Sequence, residues 1–184
     1  MYWFEDIGFR PVEKKDLEDI RALRNDPSTY LHLTDPTQIS STMQERWFES
    51  IERAGDKAYF SIFKVVREFP IIYAGDFLGV ARFDQMDANN RSIRVGADIV
   101  PGERGKGYGT QVLNGILEYW FDHMNFHRIW LCVLETNHVA MKLYENVGFK
   151  EEGTMRKAIW RGGQYRDYII MSILEEEYRK QNAL

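Results

Sequence analysis

The chain has 184 residues, 44% hydrophobic and 14% aromatic, with 24 Lys and Arg against 28 Asp and Glu for a net charge of −4. That length suits one domain, and the apolar content excludes intrinsic disorder. The mild acidity argues against holding nucleic acid by bulk charge, and the single Cys excludes a disulfide framework or a Cys-built zinc site.

A first strand is expected at Ile7–Arg10, followed by a helix over Asp16–Arg24 with Leu17, Ile20 and Leu23 on one face. Pro27 disfavours helix in the residue before it and stops that helix, leaving Ser28–Ile39 as a loop. A second helix is expected over Thr42–Ala54, carried by Met43, Trp47, Phe48 and Ile51. Strands follow at Tyr59–Val66, Phe77–Asp84 and Ser92–Val100, the first two joined by a hairpin-like loop whose Ile71-Ile72-Tyr73 can extend a strand. A third helix over Gly109–Met124 has a wide apolar stripe. Arg128–Leu134 is a nearly continuous apolar run, as in a strand buried on both faces. A fourth helix over His138–Val147 ends at Gly148, and strands at Phe149–Met155 and Tyr165–Leu174 precede a charged, fraying tail at 175–184. The order describes a mixed α/β domain with about seven strands and about four helices around one central sheet.

The most informative segment is Val100-Pro101-Gly102-Glu103-Arg104-Gly105-Lys106-Gly107-Tyr108-Gly109-Thr110. It joins a strand to an amphipathic helix. Alternate glycines allow tight turning and close backbone approach, and a helix start presents unpaired N–H groups. Together they suit an anion, most naturally phosphate, with Arg104 and Lys106 adding positive charge. A P-loop would need Lys followed by Ser or Thr, and a dinucleotide fingerprint would need G-x-G-x-x-G. This loop has neither; it fits [QR]-x-x-G-x-[GA] with Arg104, Gly107 and Gly109.

That loop resembles the pyrophosphate loop of the GNAT superfamily of acetyl-CoA-dependent N-acetyltransferases. A second segment, Asn137-His138-Val139-Ala140-Met141-Lys142-Leu143-Tyr144-Glu145-Asn146-Val147-Gly148-Phe149, resembles the family's N-x-x-A-x-x-x-Y-x-x-x-G-F stretch. Gly8-Phe9-Arg10-Pro11, Leu23-Arg24-Asn25-Asp26-Pro27 and Gly163-Gln164-Tyr165-Arg166-Asp167 are similar to the RimJ/RimL-like branch. The resemblance implies a single N-acetyltransferase domain over 1–184, with a twisted, mostly antiparallel sheet. Acceptor-side helices would lie within 1–58, an acetyl-CoA-binding core within 92–149 and a flexible tail at 175–184.

The resemblance further implies residue roles. Ala97, Asp98, Ile99, Arg104, Gly105, Lys106, Gly107, Tyr108, Gly109, Thr110 and Asn137 would bind the cofactor. Tyr144 would be the general acid, a phenol that is protonated at neutral pH. Arg24, Asn25, Tyr30, Trp47 and Glu49 would meet the acceptor, and Glu45 and Glu49 are candidates for the base. No base is evident, because Arg94 stands where many relatives in that branch carry Glu, and strand alternation is expected to turn Asp98 away from the substrate.

The expected activity is direct acetyl transfer to a primary amine: an amino sugar, a polyamine, a peptide N-terminus or another small amine. An acetyl-CoA-binding module without turnover is the alternative. No metal is expected, since His123 and His127 lack a third ligand, and Cys132 reads as core. Met1-Tyr2-Trp3-Phe4-Glu5-Asp6 has no basic leader region, and no run reaches the roughly 18 apolar residues of a membrane span. These points describe a cytoplasmic domain with no membrane or nucleic-acid partner. The edge of the final strand offers a surface for a homodimer.

Overall fold

The computed structural model describes residues 1–51 and 53–182. Eight strands form one sheet: β1 (Tyr2–Phe4), β2 (Ile7–Pro11), β3 (Ala58–Glu68), β4 (Ile71–Asp87), β5 (Ser92–Ile99), β6 (Arg128–Leu134), β7 (Lys150–Arg161) and β8 (Gln164–Leu174). Their spatial order is β1-β2-β3-β4-β5-β6-β8-β7. Every neighbouring pair is antiparallel except β5 and β6, which run parallel. Six helices accompany the sheet: α1 (Leu17–Asn25), α2 (Pro27–Tyr30), α3 (Ser41–Ile51), α4 (Tyr108–Glu118), α5 (His138–Val147) and α6 (Glu175–Asn182). This is the single-domain α/β architecture expected from the sequence, with one strand and two helices more.

The additions have local causes. β1 is a three-residue edge strand, too short for periodicity to reveal. Asp26 caps α2 through the Ser28 N–H, and Pro27 occupies its first turn, where a missing N–H costs nothing. α6 carries Glu175, Glu176 and Glu177 in its first turn and Arg179 and Lys180 in its last, matching the helix dipole. Its Glu177 meets Lys150 at 2.6 Å and its Arg179 meets Asp122 at 3.0 Å. The charged tail is therefore helical through Asn182, while residues 183–184 lie outside those described. Ile71-Ile72-Tyr73 does extend β4, lengthening the β3–β4 hairpin.

Two apolar clusters flank the sheet. The larger packs Val112, Leu113, Ile116 and Leu117 of α4 against Ile93, Val95, Ile129, Leu131 and their neighbours. Each such side chain contributes roughly 1.5–3 kcal/mol on burial, enough to fix the rotation of α4 and the direction of its first turn. The smaller sets Leu17, Ile20 and Leu23 of α1 against Val12 and Val80, with Trp47 and Phe48 of α3 alongside.

Four further sequence expectations change. β6 is not buried on both faces: Ile129, Leu131 and Val133 are buried, whereas Trp130 and Cys132 are only half-buried. Side chains alternate along the strand: Ile129, Leu131 and Val133 pack in the cluster with α4, and Trp130 and Cys132 take the opposite face. β6 pairs with β5 only for Arg128–Trp130 against Ser92–Arg94 before the strands part. The final strand β8 is interior, between β6 and β7, so β7 is the edge. On α3, Met43 is exposed and Gln44 is the buried residue. The expected end of that helix, Ala54, lies past its observed end at Ile51, and residue 52 is outside those described.

Candidate active site

Where β5 and β6 part, a cavity of about 690 Å³ opens, with the glycine-rich loop, β5, β6 and α5 as its walls. The Val100 N–H donates to Leu78 of β4 at 2.9 Å. Backbone groups alternate sides along a strand, so the N–H groups of Ala97 and Ile99 face away from β4 and into the opening.

Gly105 and Gly107 hold φ of 76° and 88°, a left-handed conformation that glycine adopts without steric cost. A Cβ at either would meet nothing within 4 Å, so it is the positive φ, not crowding, that favours glycine here. Gly107 stands at the cap of α4, and its carbonyl accepts from Thr110 at 3.1 Å and Gln111 at 3.3 Å. The N–H groups of Tyr108 and Gly109, in the first turn, have no intrahelical acceptor. Loop and helix start thus present a row of donors suited to an anion.

The charges around this loop are arranged differently from the sequence expectation. Arg104 does not point its guanidinium into the cradle. It donates to the Ile99 carbonyl at 2.8 Å, to Ser28 at 2.8 Å and 3.1 Å, and to Thr29 Oγ1 at 2.6 Å, fastening the loop to β5 and α2. Lys106 reaches Glu103 at 3.1 Å, and Glu103 also meets Lys64 at 2.9 Å. Arg104, Gly105 and Gly109 line the cavity, whereas Lys106, Gly107, Tyr108 and Thr110 are not part of its lining.

Tyr144 lines the cavity from α5, beside Asn137, whose side chain caps that helix through the Ala140 N–H at 3.3 Å. Gly148 ends α5 with φ of 106°, and the Tyr144 carbonyl accepts from both Gly148 and Phe149. Both ends of the short helix are thereby fixed, and with them the phenol. Burial, and next the negative charge of Asp98, push the Tyr144 pKa up to about 12.

A second cavity, of about 290 Å³, lies between α1, α3 and strands β3–β5. It shares Arg24, Arg82 and Asp98 with the first. Asp98, expected from alternation to turn away, thus stands where the cavities join, ion-paired to Arg82. Trp47 and Tyr59, ring centroids 4.9 Å apart, form an aromatic wall. Arg24 and Trp47 are the expected acceptor-side residues that line this cavity. Asn25, Tyr30 and Glu49 do not. Asn25 instead clasps the following loop, exchanging 2.8 Å hydrogen bonds with the Ile39 N–H and carbonyl. Glu45 and Glu49 are exposed on the outer face of α3.

Sequence reasoning missed Arg82 and Gln44. Arg82 is the one basic residue of β4, set between the buried Ala81 and Phe83, a visible signal. Gln44 lies three and four residues before Trp47 and Phe48, on their face of α3. Cys132 faces the larger cavity from β6, and burial raises its thiol pKa. Among the described residues, no group of three or more His, Cys, Asp or Glu is placed to hold a metal, and no helix is long and apolar enough to cross a membrane.

The acetyltransferase (GNAT) domain family model matches residues 6–150. The spermidine N(1)-acetyltransferase of Vibrio cholerae is 27% identical over 173 residues, covering 94% of this chain and 95% of that protein. A putative ribosomal N-acetyltransferase of Bacillus subtilis is 27% identical over 111 residues, covering 60% of this chain and 61% of that protein. The crystal structure of the Vibrio cholerae spermidine N-acetyltransferase in complex with CoA and spermine has a TM-score of 0.85 at 26% identity, covering 95% of this chain and 98% of that one.

Proposed function

The chain belongs to the GNAT acetyltransferase family, and from that premise we propose that it moves an acetyl group from acetyl-CoA directly to a primary amine of a small molecule or a peptide N-terminus. The observation that carries this reading is the opening between β5 and β6, with the glycine loop at its wall and Tyr144 beside it. The relatives named for spermidine put polyamines among the acceptor classes. Placement in the RimJ/RimL-like branch rests on the opening and closing motifs and on the ribosomal relative.

Acetyl-CoA supplies an activated thioester. In this reading the N–H groups from Gly105 to Gly109 bind its pyrophosphate, and the loop's fastening through Arg104 keeps those donors in place. The N–H groups of Ala97 and Ile99 hold the pantetheine arm and polarise the carbonyl. The segment 92–149 is then the cofactor core, and 1–58 supplies the acceptor side.

Tyr144 donates a hydrogen bond to the sulfur as the carbon–sulfur bond breaks. Its pKa of about 12 lies well above the roughly 8.5 of an ordinary alkyl thiol such as Cys, so it steadies the developing thiolate while keeping its own proton. The proton that ends on sulfur comes from the amine as the new carbon–nitrogen bond forms. Asp98, at the junction of the cavities, orients the amine and receives that proton directly or through water.

The test is thiol release from acetyl-CoA across a panel of amines, with acetyl-CoA binding measured in parallel. Turnover of any amine supports the reading. Tight binding with no turnover of any amine overturns it in favour of a silent acetyl-CoA-binding module.

A further inference from the structure

The smaller cavity holds features that a cationic amine alone does not satisfy. Gln44 is 3% exposed, lines this cavity, and its amide nitrogen has no hydrogen-bond partner. The Nε of Arg24, on the same wall, is buried and unpartnered as well. A buried donor without an acceptor is costly, and native structures contain few of them. Both of these are donors, and both belong to side chains that line one small cavity.

The charge balance points the same way. The lining carries Arg24 and Arg82 against Asp35 and Asp98. Asp98 is ion-paired to Arg82, and Asp35 lies 3.8 Å from Arg24. Arg161, on β7, adds a third guanidinium within electrostatic reach of Asp35. A polyamine would bring several positive charges to carboxylates that already have cationic partners. Burial, and next the nearby Arg82, pull the Arg24 pKa below its ordinary range, although Asp35 and Asp98 oppose that shift.

Gln44 also breaks the local pattern of its helix. The apolar Met43 is exposed while this amide is inside, and such reversals concentrate where a site is being served. Ile20, Leu23, Trp47 and Tyr59 supply apolar wall to the same cavity.

We infer that the acceptor is a small amine that also carries a carboxylate, with its amine at Asp98 and its carboxylate at Gln44 and Arg24. This rests on the acetyltransferase reading and narrows its substrate class. It separates this chain from its spermidine-named relatives. The ligand's oxygens would accept from the Gln44 amide and the Arg24 Nε, and its methylenes would lie along the apolar wall.

The experiment compares matched acceptors. Putrescine and 5-aminopentanoate share one amine and four methylenes and differ only in the far group. A series of ω-amino acids from β-alanine upward, spermidine and glucosamine complete the panel. The expected result is that at least one ω-amino acid exceeds its matched diamine and spermidine by about tenfold or more in kcat/KM. Gln44→Leu and Arg24→Met should each remove about tenfold of that advantage, through KM rather than kcat. Gln44→Glu should shift preference towards putrescine, and its folding is checked by thermal melting beside Gln44→Leu. Preference for spermidine or the diamines, preference for glucosamine over every ω-amino acid, or an unchanged KM in both Gln44→Leu and Arg24→Met overturns the inference. If no amine is turned over, the acetyltransferase reading fails separately. Calorimetry on CoA-saturated protein then decides the inference: binding of 5-aminopentanoate in preference to putrescine supports it, and the reverse or equal binding overturns it.

Discussion

Arg82 reaches across β5 over the flat face of Gly96 to pair with Asp98, at the point where the two cavities join. A Cβ at Gly96 would stand 2.9 Å from Arg82 Nη2, so a larger residue there would make the guanidinium shift. The pair places a carboxylate between the cofactor side and the acceptor side.

Asp98→Asn should keep the shape and lose the charge. The expected outcome is a fall in kcat/KM of about 100-fold, the scale of a positioned acid–base group, with acetyl-CoA affinity within about twofold. Thiol release and calorimetry measure the two. Activity near that of the unaltered protein would remove Asp98 from the chemistry.

Tyr144→Phe should lower kcat by about 10²-fold, the scale of losing one preorganised donor, with little change in acetyl-CoA binding. The pH dependence has a defined sign. The active form is the protonated phenol, and with a pKa of about 12 it persists throughout the ordinary assay range. An alkaline fall in kcat between pH 8 and about 10.5 should therefore be absent, or should survive unchanged in Tyr144→Phe. A fall in that range that the substitution abolishes would contradict the buried, high-pKa phenol.

Arg104 tests whether the loop is held or charged. Its guanidinium spends its hydrogen bonds on Ile99, Ser28 and Thr29. Arg104→Lys keeps the positive charge but cannot reproduce that planar fork. If fastening matters, both Arg104→Lys and Arg104→Ala should weaken acetyl-CoA binding, by about tenfold or more for Ala. Near-normal affinity in Arg104→Lys would mean that charge alone is required.

The glycine loop and the Tyr144 segment were legible in the sequence because their chemistry is local. Spacing along one turn and one helix fixes which groups face together. Arg82, Asp98 and Gln44 were harder, because their meeting depends on the β4–β5 register and on the rotation of α3. The register sets Val80 opposite Asp98 and Arg82 opposite Gly96, and no pattern within either strand states that. Gln44 was hidden by an apolar stripe that seemed complete with Met43. Cys132 was read as core because an apolar run does not reveal that its neighbouring strand diverges.

Asp16 carries a prediction about how the acceptor wall is held. It is 3% exposed and accepts two 2.7 Å hydrogen bonds from Arg10, one of 2.9 Å from the Glu13 N–H and one of 2.8 Å from Ser61 Oγ. These bonds tie the start of α1 to β2 and β3, and α1 carries Arg24. Burial opposes the charged form of Asp16, but the Arg10 pair and the two other donors outweigh it and lower the pKa. A carboxylate with a depressed folded-state pKa stabilises the protein above its unfolded value of about 3.9, and that stability is lost as pH falls through the folded value. Asp16→Asn should cost about 3 kcal/mol near pH 7, because it leaves Arg10 without its buried partner. The difference from the unaltered protein should stay constant down to about pH 5 and shrink below about pH 4. Urea melts at several pH values measure this, and a difference that grows in acid would contradict the sign. Since α1 then sits less firmly on the sheet, KM for the acceptor should rise more than KM for acetyl-CoA.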